Sequence, residues 1–345
     1  MTIMLEEIYQ QPQAIASAIA KENSNVAALV RELKEKNVRG VVIVARGTSD
    51  NAATYAKYLI EIMCGIPVSL AAPSVITLYD SALQLENFFV LGISQSGQAT
   101  DVIQTLSSAR ASGAITACIT NESDSPLTQV CDHVLLCHAG VERAVAATKT
   151  YTASLTLIIL FAAHWANSSS LLDSLKLAPE QITAVLKLDD TIARAVERYR
   201  YITECAVLAR GLNQATALEA ALKMTETSYL LAKPYSGADF LHGPIAMVHE
   251  GFPIFLYAPD GRAFPSMAEL ALKLKDLEAE MIVVAHSDQI LQLAKCPLKI
   301  PFEMEEKLSP LIYIVAGQLW ACHLALSRGY NPDRPRGLSK VTLTR

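Results

Sequence analysis

The sequence has no excess of basic charge: 29 Lys and Arg stand against 34 Asp and Glu, a net charge of −5. A protein held on nucleic acid by general phosphate contacts is therefore not expected. The most apolar stretch, SLTLIILFAAHWA at residues 154–166, is short and follows Lys149 closely, which reads as a buried helix and gives no membrane partner. The opening MTIMLEEIYQQ is acidic and polar, unlike a secretory signal, so the expected address is cytoplasmic.

Cysteine pairing is missing too. The seven cysteines are scattered, mostly inside apolar runs (Cys118, Cys137, Cys205, Cys322), and read as reduced, buried thiols. In CDHVLLCH, Cys131, His133 and Cys137 share one face of an extended segment, a partial metal pattern. No second ligand pair accompanies it, so a strand with its flanks is the plainer reading, and neither metal nor other cofactor is expected. Nucleotide fingerprints are absent: no Gly-Lys-Ser/Thr marks a Walker loop, and GTSDNA is no G-x-G-x-x-G.

What is present is a globular composition, 51% hydrophobic and 18% charged, in a chain long enough for two domains. It repeats itself. VVIVARGTSDNAATYAKYLIE at 41–61 matches CAVLARGLNQATALEAALKMTE at 205–226: a strand, an Ala-Arg-Gly turn, then an Ala-rich helix. Arg46 and Gly47 pair with Arg210 and Gly211, and the same offset of 164 carries Gly97 onto Gly261. Continuous apolar runs predict strands near 40–45, 66–71, 88–93, 114–120 and 133–137, with helices near 50–63, 100–112 and 143–166. The second copy predicts strands near 204–209, 253–258, 281–285 and 298–301 and a final helix near 308–328. The fold class is α/β: two tandem doubly wound parallel-sheet domains, flavodoxin-like αβα sandwiches. They are expected over 29–166 and 196–330, with a helical segment at 1–28, a helical linker at 167–195 and a tail at 331–345.

In such folds ligands bind beyond the carboxyl ends of the strands, where N–H groups at helix starts attract anions. GISQSGQATD at 92–101 follows the apolar run FFVLG at that kind of junction. Ser94, Gln95, Ser96 and Thr100, with Thr48 and Ser49 from the first turn, make a cup for a phosphate monoester. The second copy has Ala258, Pro259 and Asp260 at the matching turn, where proline offers no donor and aspartate repels phosphate. One cup per chain is expected. Alternatively, the same Ser and Gly only build a tight turn with a helix cap, and spacing alone does not choose.

ARGTS, SQSG, VAATKTYT, ALEAALKMTE, HGP and NPDRPRGLSKVT, in that order, resemble tandem sugar isomerase (SIS) domains. The likeness extends over nearly the whole chain, from MLEEIYQQPQAI to Lys340, and is to the isomerase half of glucosamine-6-phosphate synthase and its stand-alone relatives. It implies that SQSG holds the phosphate of a ketose or amino-sugar phosphate. Glu226 matches the family's proton-shuttling glutamate, His242 the ring-opening histidine supplied by a neighbouring subunit, and Lys340 a tail lysine that contacts the open-chain sugar. Gly47, Val145, Ala146, Lys223 and Glu142 match positions lining the sugar. Read without the family, Lys223 and Glu226 are a surface ion pair one helical turn apart, His242 is a turn residue, and Lys340 is a terminal charge. Asp239 stands where relatives carry glutamate and is given no role.

The synthases carry an N-terminal glutaminase domain, and the SIS-like region here starts at once, so an ammonia-releasing direction is expected. VAATK, FLHGP and NPDRP look most like SIS-type glucosamine-6-phosphate deaminases, which make fructose 6-phosphate and ammonium. Fructosamine-type 6-phosphate deglycase and galactosamine-6-phosphate deaminase are the neighbouring alternatives. A non-catalytic sugar-phosphate sensor is the alternative of another class. The resemblance also implies a homodimer sharing His242, with the apolar helices near 141–166 and 308–328 as candidate contacts.

Overall fold

A computed structural model of the chain describes residues 1–340. Its strands form two five-stranded sheets in which every neighbouring pair is parallel. The first contains β1 (Gly40–Val44), β2 (Val68–Leu70), β3 (Phe88–Ile93), β4 (Ile115–Thr120) and β5 (His133–Leu136) in the order β2-β1-β3-β4-β5. The second contains β6 (Glu204–Ala209), β7 (Leu231–Ser236), β8 (Pro253–Ala258), β9 (Glu280–Ala285) and β10 (Cys296–Lys299), ordered β10-β9-β8-β6-β7. Numbered from its own first strand, the second order repeats the first. Both are the flavodoxin-like arrangement expected from the repeat.

The central strands are apolar on both faces: β1 is buried at every residue, and β3, β4, β8 and β9 at all but their first. That is the signature of a parallel sheet covered on both sides. In each copy the third strand stacks an aromatic ring on, or against, a long apolar helix. Phe89 stacks on Phe161 of the helix Lys149–Trp165 at 5.6 Å between centroids, and Phe255 meets Trp320 of the helix Ser309–Ser327 edge-on at 5.3 Å.

The structure departs from the sequence reading at three places. β7 was not expected. It carries Lys233 and Pro234 and lies at the edge of its sheet, the position where a proline's missing N–H is tolerated. The helix expected from 143 begins at Lys149, because residues 143–148 are loop. The two apolar helices considered as dimer contacts are interior: nearly all residues of both are buried within this single chain. Among the described residues, one helical stretch, Glu306–Ser327, is long and apolar enough to cross a membrane by composition, and 94% of that window is buried inside the protein.

By contacts the chain divides into two compact units. One, the first-sheet unit, comprises Gln10–Glu142, Ala147–Lys176 and residues 338–340. The other, the second-sheet unit, comprises Met1–Tyr9, Arg143–Ala146 and Leu177–Gly337. The C-terminal tail is thus divided. Asp333 caps the helix Ile3–Tyr9 by accepting from the N–H groups of Ile3 and Met4, at 3.0 and 2.8 Å, within the second-sheet unit. Arg336 lies over the Tyr229 ring at 3.8 Å in the same unit, whereas Lys340 belongs to the first-sheet unit.

Candidate active site

In the first sheet the chain leaves β1 for β2 on one side and returns to β3 on the other. Beyond the carboxyl ends of β1 and β3 the two connections diverge and leave a crevice, the usual ligand position in such sheets. Two helices start there, Thr48–Cys64 after β1 and Thr100–Ala111 after β3. Neither N-cap residue caps its helix with a side chain; the Ser49 and Asp50 N–H groups bond the Arg46 and Gly47 carbonyls, and the Val102 N–H donates to Asp101 Oδ1 at 2.9 Å.

Every residue expected in the phosphate cup lies at this place. Gly47, at φ 55°, forms the turn before Thr48 and Ser49, which are half-buried in the first helical turn. Ser94 is buried and donates its N–H to Ile119, Gln95 and Ser96 are half-buried, and Thr100 opens the second helix. Gly97 has φ 61°, and a Cβ there would fall 2.1 Å from Ser125 Oγ, so both its backbone angle and its surroundings demand glycine. Ser125 Oγ is itself buried with no hydrogen-bond partner among the described residues.

Several residues that sequence reasoning passed over build this corner. Arg46 reaches across from the first turn to Asp101 of the second helix at 2.5 Å, and Asp101 is almost fully buried. The pair ties together the two connections that flank the crevice. Asn121 receives its side-chain hydrogen bond from Ala139 N–H, donates to the Gly140 carbonyl, and gives its own N–H to the Gln95 carbonyl. It joins the SQSG turn to the loop after β5. The signal available for Arg46 was its place in the repeated Ala-Arg-Gly turn; Asn121 carried none.

The loop after β5 ends at Glu142, whose side chain is completely buried. One oxygen accepts the N–H groups of Thr148 (2.9 Å) and Thr150 (3.1 Å), the open start of the helix Lys149–Trp165. The other accepts from Thr150 Oγ1 (2.7 Å) and Lys340 Nζ (2.9 Å). Burial pushes this carboxyl up, but the Lys340 charge and the hydrogen bonds of Thr148, Lys340 and Thr150 together hold it below the usual carboxylate range. A negative charge at a helix start is also favoured by the peptide dipoles. This capping is the reason the helix begins at 149 rather than at 143.

In the second-sheet unit, Lys223 and Glu226 share one face of the helix Gln214–Ser228. They are no surface ion pair: Lys223 is fully buried, donates to Glu226 at 2.6 Å and lies 3.5 Å from Glu219, which is also fully buried. Glu226 keeps 22% of its side chain exposed and forms the accessible end of this triad. His242 is exposed, and its N–H closes the short helix Gly237–Leu241 on the Asp239 carbonyl. Asp239 is exposed too. Val145 is half-buried, with its N–H on the Asp333 carbonyl at 3.3 Å, and Ala146 is buried.

The turn after β8 matches the cup in sequence but not in content. There Glu306 Oε1 accepts the N–H groups of Arg262 (3.0 Å) and Ala263 (3.4 Å), just ahead of the helix Phe264–Asp276. The second copy fills its anion position with a carboxylate of its own. Cys131, His133 and Cys137 do not converge: Cys131 meets Cys118, His133 pairs with Glu32, and Cys137 faces Ser154.

The sequence pattern of the SIS domain matches residues 32–164 and 204–328, one stretch on each sheet. The chain belongs to the SIS domain family. It is 33% identical over 347 residues to the isomerising glutamine–fructose-6-phosphate aminotransferase of Thermococcus kodakarensis, an alignment that takes in 98% of this chain and 57% of the relative. This SIS chain therefore spans about half the length of the curated relatives it matches. It also resembles a crystal structure from Silicibacter pomeroyi DSS-3, a protein assigned as a phosphosugar isomerase, with 33% identity, 96% and 100% of the two chains covered, and a TM-score of 0.85. The C-terminal domain of glucosamine-fructose-6-phosphate aminotransferase from Francisella tularensis superposes with a TM-score of 0.87 at 28% identity, over 97% of this chain and 98% of that one.

Proposed function

We propose that this SIS chain is an isomerising deaminase of amino-sugar phosphates, turning glucosamine 6-phosphate and water into fructose 6-phosphate and ammonium. The observation that carries the reading is in the first-sheet unit. A cup of hydroxyls and helix-start N–H groups suited to a phosphate shares the carboxyl edge of the sheet with the loop after β5, whose buried Glu142 holds the Lys340 ammonium. The relatives named above are phosphosugar enzymes, which supports a sugar phosphate as the occupant. Because the chain matches only part of the aminotransferases, their nitrogen transfer from glutamine does not come with the likeness. The C1/C2 chemistry of an amino sugar does not depend on it.

In this reading the cup of Thr48, Ser49, Ser94, Gln95, Ser96 and Thr100 fixes the phosphate and so the register of the carbon chain. His242 opens the ring by moving a proton between O1 and O5. Glu226 takes the C2 proton and returns it to C1, so the amino aldehyde becomes a 2-imino sugar; water then adds at C2 and ammonia leaves. Lys223 orients Glu226, Lys340 faces the open-chain sugar, and Gly47, Val145 and Ala146 contribute backbone. His242, exposed as are Leu241 and Met247, is read as completing a neighbouring subunit's site in a homodimer in the cytoplasm.

Incubating the protein with glucosamine 6-phosphate should release equal amounts of ammonium and fructose 6-phosphate. Absence of both across about pH 6–9, a span that covers ordinary acid and base tuning, rejects the reading. Rates on galactosamine 6-phosphate and fructosamine-type 6-phosphates decide among the neighbouring substrates. A sensor is indicated instead if Glu226→Gln leaves cellular function intact while Ser96→Ala abolishes it.

A further inference from the structure

Glu142 was expected to line the sugar. Its surroundings point elsewhere. Among the described residues, its two oxygens accept four hydrogen bonds (from Thr148 N–H, Thr150 N–H, Thr150 Oγ1 and Lys340 Nζ), and the side chain is completely buried. Lys340 keeps 26% of its side chain exposed, so the lysine rather than the carboxylate faces outward. The two residues lie 198 positions apart, and the pair fastens the end of the described tail to the corner that carries the cup.

We propose that Glu142 is a positioning residue that makes no sugar contact and acts through Lys340, fixing the ammonium beside the phosphate cup. The inference rests on the deaminase reading only for the role of Lys340; the anchor itself is independent of it. The corner is rigid for identifiable reasons. One Glu142 oxygen is locked by two N–H groups of a helix start, so the carboxylate cannot swing. The loop before it is held by Asn121, which also holds the Gln95 carbonyl of the SQSG turn. Cup and lysine are therefore positioned by one hydrogen-bonded frame.

Other ionisable groups packed round this corner are already engaged. Lys149 donates to Gln10 Oε1 and to the Val141 carbonyl, at 2.7 and 2.8 Å. His138 is paired with Glu22 at 2.7 Å, and burial pushes the Cys137 thiol up to about 12, leaving it neutral. The charge facing Lys340 from this frame is that of Glu142.

A reacting group displaced by about 1 Å can lose on the order of a hundredfold in rate. Glu142→Gln and Lys340→Met should therefore each lower kcat about a hundredfold, while KM for glucosamine 6-phosphate stays within about threefold, since the carboxylate makes no ground-state sugar contact. The double variant should be no more than about threefold worse than Lys340→Met, because the two residues act as one unit. Glu142→Asp, which keeps the charge on a shorter arm, should recover part of kcat. Effects that multiply in the double variant, or a tenfold rise in KM in Glu142→Gln alone, overturn the proposal.

Limited trypsin digestion reads the anchor without turnover. Cleavage after Lys340 should be about tenfold faster in Glu142→Gln than in the parent; equal rates overturn the anchor. Since the parent is measured by itself, rapid cleavage there at this bond, as fast as after the exposed Lys176, overturns it even if the variant fails to fold. A parent without deaminase activity but with a protected Lys340 sinks the reaction assignment and leaves the anchor standing.

Discussion

The strongest geometric demand in the site is made by Gly97, and it can be separated into two parts. Replacing it by alanine keeps the residue at φ 61°, a left-handed angle that costs an L residue about 1–2 kcal/mol. The new Cβ would also lie 2.1 Å from Ser125 Oγ and 2.5 Å from Ser125 Cβ, well inside contact distance, with Thr120 Oγ1 at 3.3 Å. Overpacking of that kind costs about 1–3 kcal/mol more. Gly97→Ala should therefore destabilise the protein by about 2–5 kcal/mol in equilibrium urea unfolding, by the two effects together. Part of the strain can be relieved by moving the SQSG turn, which disturbs the donors of the cup, so inorganic phosphate should bind at least about tenfold more weakly, equivalent to about 1.4 kcal/mol.

The steric part can be removed without touching the angle. In a Ser125→Gly background, which has neither Oγ nor Cβ, Gly97→Ala should cost only the conformational part, about 1–2 kcal/mol. A Gly97→Ala penalty that is the same in both backgrounds would refute the steric reasoning, because Ser125 would then not be what the new methyl meets. Wild-type phosphate affinity in the single variant would refute the placing of the cup itself.

Further consequences follow from the buried charges. Lys223→Met leaves Glu219 fully buried without its cation and should cost about 3–5 kcal/mol, with Glu219→Gln recovering part of the loss, both read by urea unfolding. Glu142, held below the usual carboxylate range, contributes stability that is complete above its unfolded value of about 4.3 and is lost as pH falls through its lowered folded value. The parent should thus exceed Glu142→Gln in stability near neutral pH, and the gap should close in acid; a pH-independent gap contradicts the charge argument. Glu306→Ala should cost about 1 kcal/mol through its two lost N–H contacts, and phosphate buffer should offset the loss better than chloride.

What could be read from the sequence follows from which physical signals are local. The strands β1, β3, β4, β8 and β9 are apolar runs because both faces are covered, so composition alone marked them. β7 lies at an edge, where Lys233 and Pro234 are tolerated, and its polar pattern hid it. The cup residues fall in two short stretches, each at a strand-to-helix turn, so each stretch was legible as a unit. Glu142 was not, because its partner Lys340 is far away along the chain and its burial depends on the packed loop around it. The same holds for Lys223. Helical spacing placed it beside Glu226, but spacing cannot tell a solvated face from an interior one, and here the lysine is inside.

The two copies show how one backbone device serves two ends. A strand-to-helix turn of this fold exposes N–H groups that need an acceptor, and leaving them bare costs free energy. After β8, Glu306 supplies the acceptor within the chain, so that turn is satisfied at all times. Pro259 and Asp260, read as poor phosphate contacts, are consistent with a turn that already has its anion. After β3, Asp101 in the first helical turn accepts the Val102 N–H and is paired with Arg46, while the half-buried positions of the turn carry hydroxyls and an amide. With the Asp101 charge offset by Arg46, an anion arriving at those hydroxyls stabilises the turn further, and binding and local order then reinforce each other. The two copies thus differ in that the first offsets its helix-start carboxylate with Arg46 and adds hydroxyls, whereas the second does not have those hydroxyls at the matching turn. A further buried carboxylate of the first copy, Glu142, caps another helix and holds a lysine.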